Sequence, residues 1–292
     1  MRSLGRPLYP LFGGNEKMLV ALIMVAVVAA SLLFHFLSPW RMTPIASNWG
    51  YIDNMMGATF WITAAGFVAV ILFMCYCLFR FRHIEGRRAA YEPENQKLEG
   101  WLAIGTTIAV IALLAPGLFV WGQFINVPEG AMEVEAMGQQ WQWSFRFPGA
   151  DNRMGATDAL FIDANNPYGL NPNDPRGQDD ILASGGDLHL PIGKPIKMLL
   201  RSIDVLHDFY VPEFRAKMDL VPGIVTYFWF TPTKTGEFEI LCAAFCGIGH
   251  PQMRAKVVIE SEDDFKTWLA TQQTFAQSRR GEAAHDRRAS AQ

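Results

Sequence analysis

Three stretches without a single Asp, Glu, Lys or Arg, residues 18–37, 57–79 and 101–123, dominate the first half of this 292-residue chain. About twenty apolar residues wound as a helix cross the hydrocarbon core of a bilayer. The stretches therefore predict membrane-spanning helices, and a soluble alternative would have to hide all three. Between the second and third, Arg80, Arg82, Arg87, Arg88 and Lys97 crowd a short loop, and a basic excess of this kind marks the cytoplasmic side. Everything after residue 123 is then expected outside. Arg2, Arg6 and Lys17 place the start of the first stretch inside as well, which leaves two readings, a third spanning helix or a signal peptide. Its length exceeds the usual apolar region of about 7 to 15 residues in a signal, and no clean A-x-A site follows, so the retained helix is favoured. Trp101 and Trp121, at the ends of the last stretch, suit the interfacial belt.

Beyond residue 123 the pattern changes to short β-favouring runs, Ala131 to Met137, Trp141 to Phe147, Lys197 to Arg201, Val225 to Phe230, Phe238 to Leu241 and Arg254 to Ile259, separated by Gly and Pro. Such runs predict an antiparallel sandwich or barrel and not βαβ units. Residues 149–186 are rich in Asp, Asn, Pro and Gly and read as one long loop. A lid, a partner surface and a passive insertion are all compatible with it. Ser261-Glu-Asp-Asp264 is a capping box opening a short helix through Trp268, and from Thr271 the polar tail is expected without structure. The division expected is 1–56, an N-terminal segment carrying the first apolar stretch; 57–123, a helical hairpin; 124–270, the exterior domain; and 271–292, the tail.

Chemistry concentrates in Cys242-Ala-Ala-Phe-Cys246-Gly-Ile-Gly-His250-Pro-Gln-Met253. Two thiols, an imidazole and a thioether form a soft-metal ligand set, suited to copper or zinc, and the mixture with imidazole favours copper. Two thiolates four residues apart can bridge a pair of metal ions, each needing a terminal imidazole, so a second His must come from elsewhere. Among six His, His207 is the candidate. A disulfide in an oxidising compartment is the competing reading of the two Cys, but it has no use for His250 and Met253 at fixed spacing. Cys75 and Cys77 lie inside a spanning stretch, point to different helix faces and are read as small apolar filling. No C-x-x-C-H is present, so no attached haem c is expected.

Ser202-Ile-Asp-Val-Leu-His207-Asp-Phe-Tyr-Val-Pro212, then Lys217-Met-Asp219-Leu-Val-Pro222-Gly223, then the Cys242 to Met253 segment, together with Gly138-Gln-Gln-Trp141-Gln-Trp143, resemble subunit II of the cytochrome c oxidases over roughly residues 55 to 270. The resemblance implies an α+β membrane protein: transmembrane helices followed by an antiparallel Greek-key cupredoxin-like β-sandwich in the periplasm, anchored in a bacterial inner membrane. It implies a dinuclear CuA centre of two copper ions per chain, held by Cys242 and Cys246 as bridging thiolates, His207 and His250 as terminal ligands, Met253 as weak ligand beside the His207 metal, and the backbone carbonyl of Ala244 on the other. Trp141 is the implied point where electrons enter, with packing in the core as the plain alternative. Asp204 and Trp141 are implied to dock the donor, cytochrome c. Electrons would leave past His250 toward haem in the large catalytic subunit, where oxygen is reduced. Other oxidase subunits and the membrane complete the expected partners, and no nucleic acid is expected. Gly247 is read as supplying a backbone conformation that a Cβ would oppose.

Departures from the family pattern are informative. Most relatives carry a glutamate where this chain has Ala244, and that carboxylate reaches a magnesium or manganese ion, so no magnesium is expected here. Asp219 is a candidate for that neighbourhood or a plain surface acid. Ile203 stands where many relatives have an acid. Glu99, the nearest match to a glutamate that opens a proton path, would also be stabilised at a helix start by the macrodipole alone. Residues 124–270 hold twelve Lys and Arg against twenty Asp and Glu, a net of −8 while the whole chain is −3, and an acidic exterior speeds encounter with a basic protein. Two other functions fit parts of the pattern. A nitric oxide reductase subunit with the same copper module is one, and a membrane-anchored copper chaperone, whose thioredoxin-like β-α alternation is missing, is the other.

Overall fold

The computed structural model describes residues 14–38, 42–82, 84, 86–88, 91, 93–163, 166–184 and 186–281. The chain divides into two compact units, Met1–Met42 with Asp53–Gly117, and Thr43–Ile52 with Leu118–Gln292.

The first unit is helical. Helices α1 (Gly14–Leu37), α2 (Gly50–Arg80) and α3 (Gln96–Ile125) each extend past the uncharged stretch that announced them. All three are long and apolar enough to cross a membrane, and their outward side chains, among them Leu72, Phe73, Ile104 and Ile108, are exposed apolar groups that suit lipid. The buried Cys75 thiol lies 3.6 Å from the Ala21 carbonyl, filling the seam between α2 and α1. At the start of α3, Asn95 Oδ1 accepts from Leu98 N at 3.0 Å and Glu99 Oε1 accepts from Asn95 N at 3.4 Å. Glu99 thereby serves the free N–H groups of its own helix end.

The second unit is a two-layer β-sandwich. Its strands are β1 (Met132–Gln139), β2 (Gln142–Phe147), β3 (Ile181–Ser184), β4 (Leu188–Pro191), β5 (Ile196–Ser202), β6 (His207–Val211), β7 (Ala216–Leu220), β8 (Thr226–Phe230), β9 (Gly236–Cys242) and β10 (Arg254–Glu260). Helix α4 (Glu262–Thr271) and β11 (Gln273–Thr274) follow. One sheet runs β11-β3-β2-β1-β5-β8 and the other β4-β10-β9-β6-β7. The expected sandwich is thus present, and it is not wholly antiparallel: β1 lies parallel to β5, and β4 parallel to β10. Period-two burial explains why these residues make strands. On β5, Ile196, Met198 and Leu200 are buried while their neighbours are half-buried, so one face joins the core and the other looks outward. Phe145, Phe209, Phe214, Phe228 and Phe230 fill the interlayer space, with Phe214 and Phe230 ring centres 4.8 Å apart.

Residues 149–186 are less loop-like than their composition suggests. They contain β3 and two short 3-10 turns, and a buried ion cluster fastens them to the sheet. Arg146 on β2 pairs with Glu135 on β1 and with Asp180 at 2.7 Å, while Arg201 reaches the other Glu135 oxygen at 3.0 Å. Asp180 also accepts from Gly155 N at 3.0 Å. Burial pushes its carboxyl up to about 6, against the opposing pull of Arg146.

Two further differences concern the ends of this unit. The capping box forms as expected, Ser261 Oγ accepting from Asp264 N at 3.2 Å, but α4 continues past Trp268 to Thr271. The segment after it, expected as a structureless tail, pairs β11 with β3 and buries Phe275; residues 282–292 lie outside the described residues. At the other end, residues 43–52 belong to the sandwich. Ala46 N donates to Glu213 O at 2.8 Å, Ser47 Oγ to Phe214 O at 2.7 Å, and the buried Trp49 donates Nε1 to Trp229 O at 2.9 Å.

Candidate metal centre

Strand pairing brings the distant ligand candidates together. β6 and β9 are neighbours, with Phe209 opposite Cys242, so His207 at the start of β6 comes beside the end of β9. The loop 243–253 then returns to β10, closed at its neck by Cys242 N donating to Met253 O at 3.3 Å. Gly247 turns this loop with φ +120°, a conformation that side chains with a Cβ oppose. A short 3-10 turn, His250–Gln252, carries the second imidazole and leads into Met253.

Sulfur lies at the middle of the arrangement. Cys242 Sγ and Cys246 Sγ are 3.7 Å apart and unbonded, both Cys being free thiols. His207 Nδ1 stands 3.9 Å from Cys242 Sγ, and His250 Nδ1 stands 3.5 Å from Cys246 Sγ. Met253 Sδ lies 3.8 Å from Cys246 Sγ, and the Ala244 carbonyl 3.2 Å from Cys242 Sγ. His207, Cys242, Cys246 and Met253 are buried. Burial pushes the Cys246 thiol up to about 11, and the adjacent Cys242 adds to the shift. Two thiols so close cannot both ionise without a cation between them. Thiolate, thioether and imidazole donors converging on one buried spot fit soft or borderline metals and do not fit a hard cation. All six residues singled out from the sequence therefore meet at one place.

Around them lies a shell of hydrogen bonds. Asp204 Oδ1 takes His207 Nε2 at 2.8 Å, leaving Nδ1 to face the sulfurs. Burial works to raise the Asp204 carboxyl, but the Gln140 N–H, the His207 ring and the Val205 N–H outweigh it and hold it below the usual range. Expected as a docking group, Asp204 thus spends both its oxygens inside the site. Trp141 is half exposed and donates Nε1 to the Cys246 carbonyl at 3.2 Å. Its indole lies so tightly on the loop that a Cβ on Gly249 would come within 2.2 Å of the ring. Trp143, two residues on, is buried and packs edge-on against Phe209 at 5.7 Å. Core packing, the alternative offered for Trp141, therefore describes its neighbour Trp143 and not Trp141 itself.

Two residues of this neighbourhood were not singled out from the sequence. Gln140 donates its backbone N–H to Asp204 Oδ2 at 2.6 Å and its side-chain amide to the Cys246 carbonyl at 2.8 Å. Asp208, next to His207, is buried opposite Asp219 across the β6–β7 pair. Burial pushes the Asp208 carboxyl up to about 7, Asp219 adds to the shift, and Lys217 at 3.3 Å opposes it. The nearest sequence signal for Gln140 was its place in the Gly138 to Trp143 motif. Ile203 is exposed, as are Phe245 and Ile248 on the ligand loop.

The profile described as "Cytochrome C oxidase subunit II, periplasmic domain" matches residues 132–262. The chain is 64% identical over 259 residues to the alternative cytochrome c oxidase subunit 2 of Bradyrhizobium diazoefficiens, covering 89% of this chain and 94% of that one. It is 28% identical over 249 residues to cytochrome c oxidase subunit 2 of Cereibacter sphaeroides, covering 78% of this chain and 77% of the relative. To the cytochrome c oxidase subunit 2 of Thermostichus vulcanus it is 42% identical over 91 residues, 31% of this chain and 28% of that one.

Proposed function

Because this chain belongs to the cytochrome c oxidase subunit II family, we propose that its sandwich accepts electrons one at a time from cytochrome c at a dinuclear CuA centre and passes them to haem in a large catalytic subunit, where oxygen is reduced. One observation carries the reading: two unbonded sulfurs 3.7 Å apart, each faced by the Nδ1 of a different imidazole. A mononuclear blue-copper site needs only one of these sulfurs, and a disulfide needs neither imidazole.

Copper, when bound here, supplies reversible one-electron storage shared over two metals. The residues do the rest. Cys242 and Cys246 as thiolates, His207 and His250 through their imidazoles, Met253 through its thioether and Ala244 through its carbonyl would hold the coppers. Asp204 fixes which nitrogen of His207 is offered, as outer hydrogen bonds to ligand imidazoles do. Ligands at the ends of paired strands and on a loop closed at its neck keep their places when charge changes, which favours fast electron transfer. Trp141, exposed on one side and bonded to the Cys246 carbonyl on the other, connects the surface to the ligand loop. Electrons leave on the His250 side.

The helices anchor the protein in the bacterial inner membrane with the sandwich in the periplasm, beside the catalytic subunit and the other oxidase subunits. The acidic exterior suits a basic cytochrome. Glu99 is proposed as a proton-path opening only in addition to its bond at the start of α3. The test is copper loading of the full chain in detergent: two ions per chain and a mixed-valence signal with the unpaired electron shared equally are expected, whereas one ion per chain with a single-site spectrum refutes the dinuclear assignment.

A further inference from the structure

The turn between β1 and β2 touches both ligand-bearing segments without supplying a ligand. From the Gln140 backbone N–H a bond runs to Asp204 Oδ2 at 2.6 Å, and the other Asp204 oxygen holds His207 Nε2 at 2.8 Å. From the Gln140 side-chain amide a second bond runs to the Cys246 carbonyl at 2.8 Å. Imidazole, carboxylate, glutamine and the thiol-bearing loop are thus one continuous chain of hydrogen bonds, with Gln140 in the middle. The same Cys246 carbonyl takes Trp141 Nε1 at 3.2 Å, so two N–H donors converge on it. The approach is close: a Cβ on Gly247 would stand 3.0 Å from Gln140 Nε2.

Building on the copper reading above, we propose that Gln140 is a positioning residue that sets the separation of His207 from the Cys242–Cys246 pair and tunes the electron affinity of the centre. Two physical effects follow from the geometry. The loop carries glycines at 247 and 249, whose backbones are the freest of any residue, and the amide bond from outside limits that freedom. N–H dipoles aimed at the Cys246 peptide also put their positive ends near an electron-rich sulfur, which favours the state holding one more electron. Gln140 is exposed, yet its backbone N–H and side-chain amide are both bonded to the ligand-bearing segments.

Gln140→Met keeps the length of the side chain and removes its amide; Gln140→Glu replaces the donor with an acceptor facing a carbonyl. In the full chain without metal, both variants are expected to speed amide hydrogen exchange at Gly247, Ile248 and Gly249. Loaded with copper, both should lower the midpoint potential, by up to about tenfold in electron affinity or roughly 59 mV for one electron, the Glu variant more. Unchanged exchange and unchanged potential in both variants overturn the proposal. So does a raised KM for reduced cytochrome c with exchange and potential unmoved, which would place Gln140 on the docking face. The copper reading is judged separately, on metal stoichiometry of the unsubstituted chain, while the exchange data judge the tether whatever that stoichiometry proves to be.

Discussion

Asp204 grips His207 by the ring nitrogen that faces away from the sulfurs, Oδ1 to Nε2 at 2.8 Å, and so Nδ1 is the nitrogen turned toward Cys242. The bond selects a tautomer as well as a direction, since a carboxylate can only accept from Nε2–H. Replacing this partner by Asp204→Ala is expected to weaken copper binding by about 10- to 100-fold, the usual effect of losing such an outer partner. A competition titration of the full chain against a copper chelator reads it, and unchanged affinity would show that packing alone orients the ring.

Gly249 has no room for a side chain under the Trp141 indole, where a Cβ would lie 2.2 Å from the ring. Gly249→Ala should therefore lift the indole off the loop at a stability cost of about 1 to 3 kcal/mol, typical of overpacking. Two coppers per chain should remain, while tryptophan fluorescence changes and cytochrome oxidation slows. Fluorescence identical to the parent chain would contradict the packing described.

Trp141 itself is tested by Trp141→Phe, which keeps an aromatic ring but loses the donor to Cys246. Slower oxidation of reduced cytochrome with an unchanged copper spectrum is the expected outcome. An unaltered rate removes the residue from the electron path.

Asp180 ties stability to pH. Its carboxyl is pushed up to about 6 in the folded protein from its ordinary value of 3.8, so between those values the folded state holds a proton that the unfolded chain has released. The sign follows: this group's contribution declines as pH rises from about 4 to about 6 and is flat above, by roughly 1 to 3 kcal/mol in all. In Asp180→Asn the slope over this window should become shallower by that amount, the share due to Asp208 remaining. Thermal unfolding of both proteins across that window measures it, and parallel profiles would refute the assignment.

Much of this was legible in the sequence, for reasons that can be stated residue by residue. The spans were plain because charge is intolerable over twenty residues of lipid contact. β5 and β8 were plain because Ile196, Met198, Leu200, Phe228 and Phe230 recur with period two. Cys242, Cys246, His250 and Met253 stood out by their spacing, whereas His207 and the Ala244 carbonyl were picked out through the family resemblance. β3, β4, β6, β7 and β11 escaped notice, being two to five residues each, too short for a periodic signal of their own. Parallel pairing of β1 with β5 leaves no local mark at all. Arg146, Glu135 and Asp180 carried no signal in the sequence, since burial of an ion cluster depends on what folds over it. Gln140 carried no signal beyond its place in the Gly138 to Trp143 motif, and only the tertiary arrangement puts Cys246 within its reach.

Residues 43–52 carry a practical consequence. Anyone severing the exterior portion just after α3, where hydropathy invites the cut, would discard Ala46 and Trp49, both buried in the sandwich core. The truncated product would keep stranded carbonyls on Glu213, Phe214 and Trp229 beside an open apolar slot. A soluble version worth building should graft that decapeptide back on through a short tether.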